Sequence, residues 1–348
     1  MKKRTTSSRK RDHVELAVKK DVAFREKTAG FEEWVFIHNA LPEINLSGID
    51  TATDFLGKKL SFPLMISCMT GGYDEAETIN RQIAEVCEEL GLAMGVGSQR
   101  QAMEDSAYHS SFSIARSSAP SIPLVGNIGA PEVAALKDIS PIMKLAEMIR
   151  ADAFAVHLNP LQEFLQPEGN TDFRGVLNGI EKLVKQLPIP VIVKEIGAGI
   201  SRDVAERLAN VGVRYIDVAG AGGTSWAGVE ILRRGKEEQS DWNPFWDWGI
   251  RTTDALLDVV PLKKKFPGLV VISSGGIANG LDSAKSIAFG ADMTAAARPM
   301  LKALMLGGKK GLRKKIEQWT TEAKGAMFLI GAASVKQLQF TKALHRKT

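Results

Sequence analysis

Apolar and polar positions along this chain follow two different periods. Eight short runs are rich in β-branched or small apolar residues: "FPLMIS", "LAMGV", "IPLVGN", "AFAVHLN", "PVIVKE", "RYIDVAG", "LVVISSGG" and "ADMTAAA". Between the first two, Ile79, Ile83, Val86, Cys87 and Leu90 recur at helical spacing, and Gly91 stands where a helix C-cap glycine belongs. The same order of helix, glycine and strand recurs at "VAERLANVG" before "RYIDVAG" and at "LDSAKSIAFG" before "ADMTAAA". Runs that are apolar on both faces and separated by helices predict parallel strand pairing.

Eight such units occupy about 250 residues, the size of a (β/α)₈ TIM barrel in the α/β class. The competing arrangement is a doubly wound open sheet, although no run is followed by a GxGxxG turn with an acid about 20 residues on. The barrel reading makes residues 1–348 a single domain: an N-terminal arm and barrel entry over 1–60, the barrel over 61–300, and C-terminal closing helices over 301–348. The stretch from Ser225 to Gly249, rich in Trp and Asp, is longer than an ordinary βα loop and predicts a lid or a subunit contact.

Barrel active sites lie at the C-terminal ends of the strands. Read to their ends, the eight runs finish in "MTGG", "GSQR", "GN", "HLNPLQE", Lys194-Glu195, "AGAGGTSW", "SSGG" and "AARP". Every one is polar or glycine-rich. In the fourth, Ala153, Ala155, His157 and Asn159 share one face, and Phe154, Val156 and Leu158 share the other. Two small residues followed by two polar ones suit an interior that opens onto a mouth. "SSGGI" can aim backbone N–H groups at a phosphate, and its place on the seventh strand matches the phosphate site of many barrels.

Single residues are more ambiguous. Lys194 ends an apolar strand, so its ammonium needs an anionic partner or a depressed pKa. It fits a Schiff-base nucleophile, a counter-charge for a cofactor, or a structural pair with Glu195 or another acid. Arg100 reads as an anion binder. Glu230 reads as a general acid or base, or as an exposed helix carboxylate. Met69 and the tryptophans read as packing residues, although Met69 and Trp226 stand at the mouth, within reach of a ligand.

Composition narrows the class. The 348 residues are 44% hydrophobic and 24% charged, as in ordinary globular proteins. No apolar run approaches the ~18 residues needed to span a bilayer. The basic start runs into "DHVELAVKK", which cannot serve as a signal-peptide core, and Cys68 and Cys87 are too few for a disulfide framework. A cytoplasmic location without membrane association is expected. Residues 1–13 carry +5 and residues 302–348 carry +9, so a chain of net +5 has a middle of −9. No aromatic residue interleaves with the N-terminal basic run, which argues against nucleic-acid binding and for a compact anionic partner.

Together these motifs make the chain resemble the type II, flavin-dependent isopentenyl-diphosphate delta-isomerases. The resemblance runs from "SRKRDHVELA" through "MTGG", "GSQR", "VGNIGAPE", "HLNPLQE", "VIVKEIGAGIS" and "DVAGAGGTSWAGVE" to "SSGGI". It implies FMN in its reduced form, Mg²⁺ and NADPH as reductant, with isopentenyl and dimethylallyl diphosphate as substrates. Flavin contacts would come from Met69, Thr70, Gly71, Ser98, Asn127, Lys194 and Thr224, with the flavin phosphate at Gly275, Gly276, Ala296 and Ala297. The diphosphate would meet Arg100, His157 and Asn159, with Mg²⁺ held through Glu163. Gln162 would lie near the isoprenoid carbons, and Gln162, His157 and Glu230 form the catalytic set. Arg9 and Lys10 would reach in from a neighbouring subunit of a homo-oligomer, a tetramer or octamer. The alternative is an FMN-dependent oxidoreductase of the 2-hydroxy-acid or dihydroorotate type. "VVISSGGIANG" lacks the His base and Arg anchors of the former, and residues 219–249 lack the cysteine of an inosinate dehydrogenase. A class I aldolase using Lys194 and a non-enzymatic barrel with a basic nucleic-acid-binding arm are the remaining readings.

Overall fold

The computed structural model describes residues 6–347. Eight parallel strands form a closed ring: β1 (Leu64–Ile66), β2 (Ala93–Gly95), β3 (Leu124–Gly129), β4 (Ala153–His157), β5 (Val191–Lys194), β6 (Tyr215–Asp217), β7 (Val270–Ser274) and β8 (Met293–Ala296). Each pairs with its neighbour in sequence, and β8 pairs with β1. The expected barrel is therefore present, and closure excludes the open doubly wound sheet. Helix Ala76–Leu90 buries Ile79, Ile83, Val86 and Cys87 and ends at Gly91, whose φ of 62° is the left-handed cap conformation that glycine adopts without strain.

The strands divide their side chains as the period of two requires. Met65, Ala93, Val125, Ala153, Ala155, Ile192, Ile272, Met293 and Ala295 pack inside the ring. Leu64, Leu124, Phe154, Val156, Val193 and Val271 join the layer shared with the helices. A hairpin of Thr53–Phe55 and Lys58–Leu60 adds Phe55 and Leu60 to the interior cluster, at the N-terminal end where Tyr215 begins β6. The Phe55 and Tyr215 rings meet there edge-on at 6.2 Å. Burying Phe55 and Leu60 contributes roughly 1.5–3 kcal/mol each and closes the bottom, leaving the opposite end open.

One long-range feature departs from the sequence reading. The C-terminal region is not helical throughout. Helix Arg298–Ile330 changes direction at Gly308, and Leu344–Arg346 forms an antiparallel pair with Trp34–Phe36. The N-terminal arm lies across the mouth of the barrel. Its helix Thr6–Lys19 is fastened by Arg298, which donates to the carbonyls of Ala17 (2.8 Å) and Lys20 (2.9 Å). The following segment runs beside the β6 loop, where Ser225 N donates to Val22 O at 2.8 Å and Trp246 Nε1 to Ala23 O at 2.8 Å. Much of the Ser225–Gly249 stretch thus clamps the arm.

Candidate active site

Two adjoining cavities open at the C-terminal ends of the strands. The larger, about 390 Å³, is walled by Ser67, Ala219, Gly220, Gly222, Gly223, Thr224, Gly275, Gly276 and Ala295–Ala297. The smaller, about 130 Å³, holds Arg9, Arg100, Asn127, Glu132, His157, Asn159, Gln162 and Glu163. Lys10, His13, Cys68, Met69, Lys194, Ile196 and Trp226 line both, so the two are continuous. Of the residues expected at a flavin, Met69, Lys194, Thr224, Gly275, Gly276, Ala296 and Ala297 border the larger space. Gly71, Ser98 and Asn127 instead border the smaller one. Thr70 borders neither: its hydroxyl donates to Asn80 Oδ1 within the wall, and its carbonyl accepts from Gly97 N at 2.7 Å.

Glycines make the larger cavity possible. A Cβ on Gly223 would lie 2.5 Å from Gly276 N, so any side chain there would force the β6 and β7 loops apart. Lys194 projects from the end of β5, its ammonium donating to Glu195 O and lying 3.9 Å from Asp217 Oδ2. The Glu195 carboxylate does not pair with Lys194. It accepts instead from the backbone N–H groups of Ile196 (2.6 Å), Gly197 (2.7 Å) and Ala198, and so shapes the loop that borders the cavity.

The smaller cavity concentrates positive charge. Lys10 enters from the arm helix and donates to Gly71 O (2.9 Å) and Ser98 O (2.6 Å). Burial, with Arg9 and Arg100 nearby, pulls its pKa down to about 7. Burial and Arg100 also lower Arg9. Arg100 is paired with Glu132 (3.0 Å) and Glu104 (3.1 Å), so an incoming anion shares it with two carboxylates. His157 bonds through Nδ1 to Asn127 Oδ1 at 2.9 Å. Because that oxygen only accepts, the ring carries its proton on Nδ1 and offers a lone pair at Nε2. Burial, then the Lys194 and Lys10 charges, hold its pKa at about 3, so it is neutral at pH 7.

Asn159, Gln162 and Glu163 converge as the first turn of a helix allows. Asn159 Nδ2 donates to Glu163 Oε1 (2.8 Å) and Gln162 Oε1 (3.3 Å), and Glu163 Oε2 accepts from Asn170 N (2.7 Å). Asn159 Oδ1 is buried without a partner. Glu230 corrects the reading of an exposed helix carboxylate. It is fully buried, and it lines neither cavity. Its Oε1 accepts from His13 Nε2 (2.8 Å) and Gln162 Nε2 (3.1 Å), and its Oε2 from Arg233. Burial pushes its pKa up, but these partners outweigh it and hold the carboxylate at about 2. It remains an anion and orients others.

The sequence reading gives no role to His13, Asp217, Glu132 or Cys68, all of which lie in or against the site. His13 and Asp217 sit inside the quoted motifs, and Glu132 ends "VGNIGAPE", so their positions were visible though their partners were not. Cys68 is an inert thiol, its pKa raised by burial to about 11.

The profile of the FMN-dependent dehydrogenases matches residues 2–117 and 146–345. An isopentenyl-diphosphate delta-isomerase of Pelodictyon phaeoclathratiforme is 47% identical over 344 residues, covering 96% of each chain. That of Chlorobaculum parvum is 48% identical with the same coverage, and that of Pseudescherichia vulneris 49% identical over 86% of each chain. Among solved structures, a sulfite-bound flavocytochrome b2 variant superposes with a TM-score of 0.70 at 19% identity, covering 97% of this chain and 83% of its own. A mandelate oxidase variant gives 0.65 at 17%, covering 97% and 95%. At such identities the structures share the fold.

Proposed function

The chain belongs to the isopentenyl-diphosphate delta-isomerases within the FMN-dependent dehydrogenase family, and from that premise we propose how its two cavities divide the reaction. The protein binds FMN and interconverts isopentenyl and dimethylallyl diphosphate, moving a double bond by adding a proton at one carbon and removing one from another. The carrying observation is a glycine-walled chamber that opens, past Met69 and Lys194, into a chamber lined by Arg9, Lys10 and Arg100. Gly223, Gly275 and Gly276 let the β6 and β7 loops pack against each other and against Ala29, where a Cβ on any of the three would collide with the neighbouring chain, and the wall so formed suits the flavin and its phosphate. When bound, reduced FMN supplies an exchangeable proton at N5 and an electron-rich face beside the isoprenoid carbons.

The protein's own groups bind and orient. Lys194 would hold the pyrimidine edge of the flavin. Arg9, Lys10 and Arg100 would receive the diphosphate, each strengthened as water leaves the cavity. His157, neutral, would accept a hydrogen bond at Nε2 or take a proton once a diphosphate anion lies beside it. Among the described residues no cluster of three or more His, Cys, Asp or Glu side chains is placed to hold a metal. Glu163, which lines the smaller cavity, would nevertheless offer a carboxylate oxygen to Mg²⁺, whose other positions phosphate oxygens and water would fill. Glu230 fixes the amide of Gln162, whose carbonyl also accepts from Asn159, so Gln162 is held at the isoprenoid end in one orientation. NADPH is the proposed electron donor that brings FMN to its reduced state, and a cytoplasmic homo-oligomer the proposed form.

The test is redox stoichiometry. Enzyme with FMN and Mg²⁺, reduced once without oxygen, should convert many equivalents of isopentenyl diphosphate while its reduced spectrum persists. In D₂O, product should carry deuterium on the isoprenoid skeleton. One electron pair consumed per product would establish the oxidoreductase alternative instead.

A further inference from the structure

Beneath the larger cavity lies a carboxyl group that neither chamber exposes, its pKa raised by burial and drawn back by the Lys194 ammonium. Asp217 ends β6 and is fully buried. In the barrel register it stands beside Lys194, which in turn stands beside His157. Its Oδ1 accepts from Ser274 Oγ at 2.6 Å and from Ala219 N at 3.2 Å. Its Oδ2 has no hydrogen-bond partner and faces the Lys194 ammonium at 3.9 Å. Ala219, whose φ is 36°, holds a left-handed conformation that costs a non-glycine residue roughly 1 kcal/mol or more. Ala219, Lys194 and Ser274 all line the larger cavity, whereas Asp217 does not.

We propose that Asp217 is a positioning residue for the flavin site: it is the counter-ion that holds the Lys194 ammonium at the cavity edge, and it fastens the strained Ala219 turn that forms the adjoining wall. The proposal rests on the FMN reading of that cavity. A buried ammonium without a counter-ion gives up its proton rather than remain charged. The other groups around Lys194 cannot replace Asp217. Lys10 on the arm is a cation, His157 on β4 is neutral, Cys68 after β1 is a protonated thiol, and the Glu195 carboxylate is engaged by the amides of Ile196–Ala198. Asp217 is the one carboxylate that meets this ammonium among the described residues.

Anaerobic equilibrium dialysis against reduced FMN at pH 7.5 and 9.5 tests this on wild type, Asp217→Asn, Lys194→Met and the double variant. Wild-type affinity should change by less than about threefold between the two pH values. Asp217→Asn should bind at least about tenfold more weakly than wild type at pH 9.5. The double variant should bind no worse than Lys194→Met, because the two residues act as a unit. Wild-type affinity at pH 9.5 in Asp217→Asn, or losses that multiply in the double variant, would overturn the role while leaving FMN binding intact. Absence of FMN binding by wild type would overturn the cavity assignment itself. If Asp217→Asn alone does not fold, the double variant should still fold and melt above it, since removing both charges avoids the unpaired burial. Thermal losses that simply add would refute the pairing.

Discussion

Replacing Glu230 with Gln removes a charge and leaves the shape nearly unchanged, so it isolates what that anion does. Glu230 has no solvent exposure and is held by His13 from the arm, Gln162 from the β4 loop and Arg233 on its own helix. The net result is a pKa displaced from 4.5 to about 2. At 1.36 kcal/mol per unit, the folded protein favours the charged form over the neutral acid by about 3 kcal/mol. Because the folded pKa lies below the unfolded one, this contribution is complete above pH 4.5 and disappears as pH falls through about 2. Gln retains an acceptor for His13, and Arg233 keeps Glu168 at 2.8 Å, so the expected loss at pH 7 is about 2–3 kcal/mol. At roughly 2 °C per kcal/mol for a chain of this size, the melting temperature should fall by about 4–6 °C. A cycle with His13→Ala should show at least about 1 kcal/mol of coupling. Gln162 would also lose its fixed amide, so kcat should fall by about 10- to 100-fold with KM changing less than about threefold. A melting temperature within about 1 °C of wild type, with additive His13 and Glu230 effects, would refute the reasoning.

Glu163→Gln should raise the Mg²⁺ concentration needed for half-maximal rate and weaken diphosphate binding, whereas Gln162→Ala should lower kcat more than it raises KM; identical signatures would mean the two roles are misassigned. Lys10 keeps an ordinary pKa of 10.5 when the arm is undocked and about 7 when docked, so the docked state binds fewer protons between these values. Arm docking should therefore strengthen as pH rises through that window. Anisotropy of a fluorophore on a cysteine replacing exposed Glu15 should rise with pH in the wild-type background and stay flat with Lys10→Met. Gly223→Ala places a methyl 2.5 Å from Gly276 N, which should weaken FMN binding by at least about tenfold at roughly 1–3 kcal/mol of overpacking. Unchanged FMN titration would show that the β6 and β7 loops yield.

Local periodicity alone placed eight strands and their intervening helices, because the strand period of two and the helical 3.6 are written in neighbouring residues. It also located the functional end: His157 and Asn159 follow Ala153 and Ala155 on one face, and that face points into the ring. What sequence left open depended on partners far away in the chain. His13 meets Glu230 across 217 residues, turning an apparent surface carboxylate into a buried anchor. Lys194 had Glu195 beside it in sequence, yet its acid is Asp217 on the next strand, since the Glu195 carboxylate turns back onto its own loop. The arm's basic run does not show how it is fastened; bonds from Arg298 to the arm helix and from Trp246 to the segment after it hold it over the barrel mouth. Alternation reports which face a side chain takes, but only the closed barrel, by fixing strand register and folding the arm over it, decides which charges meet.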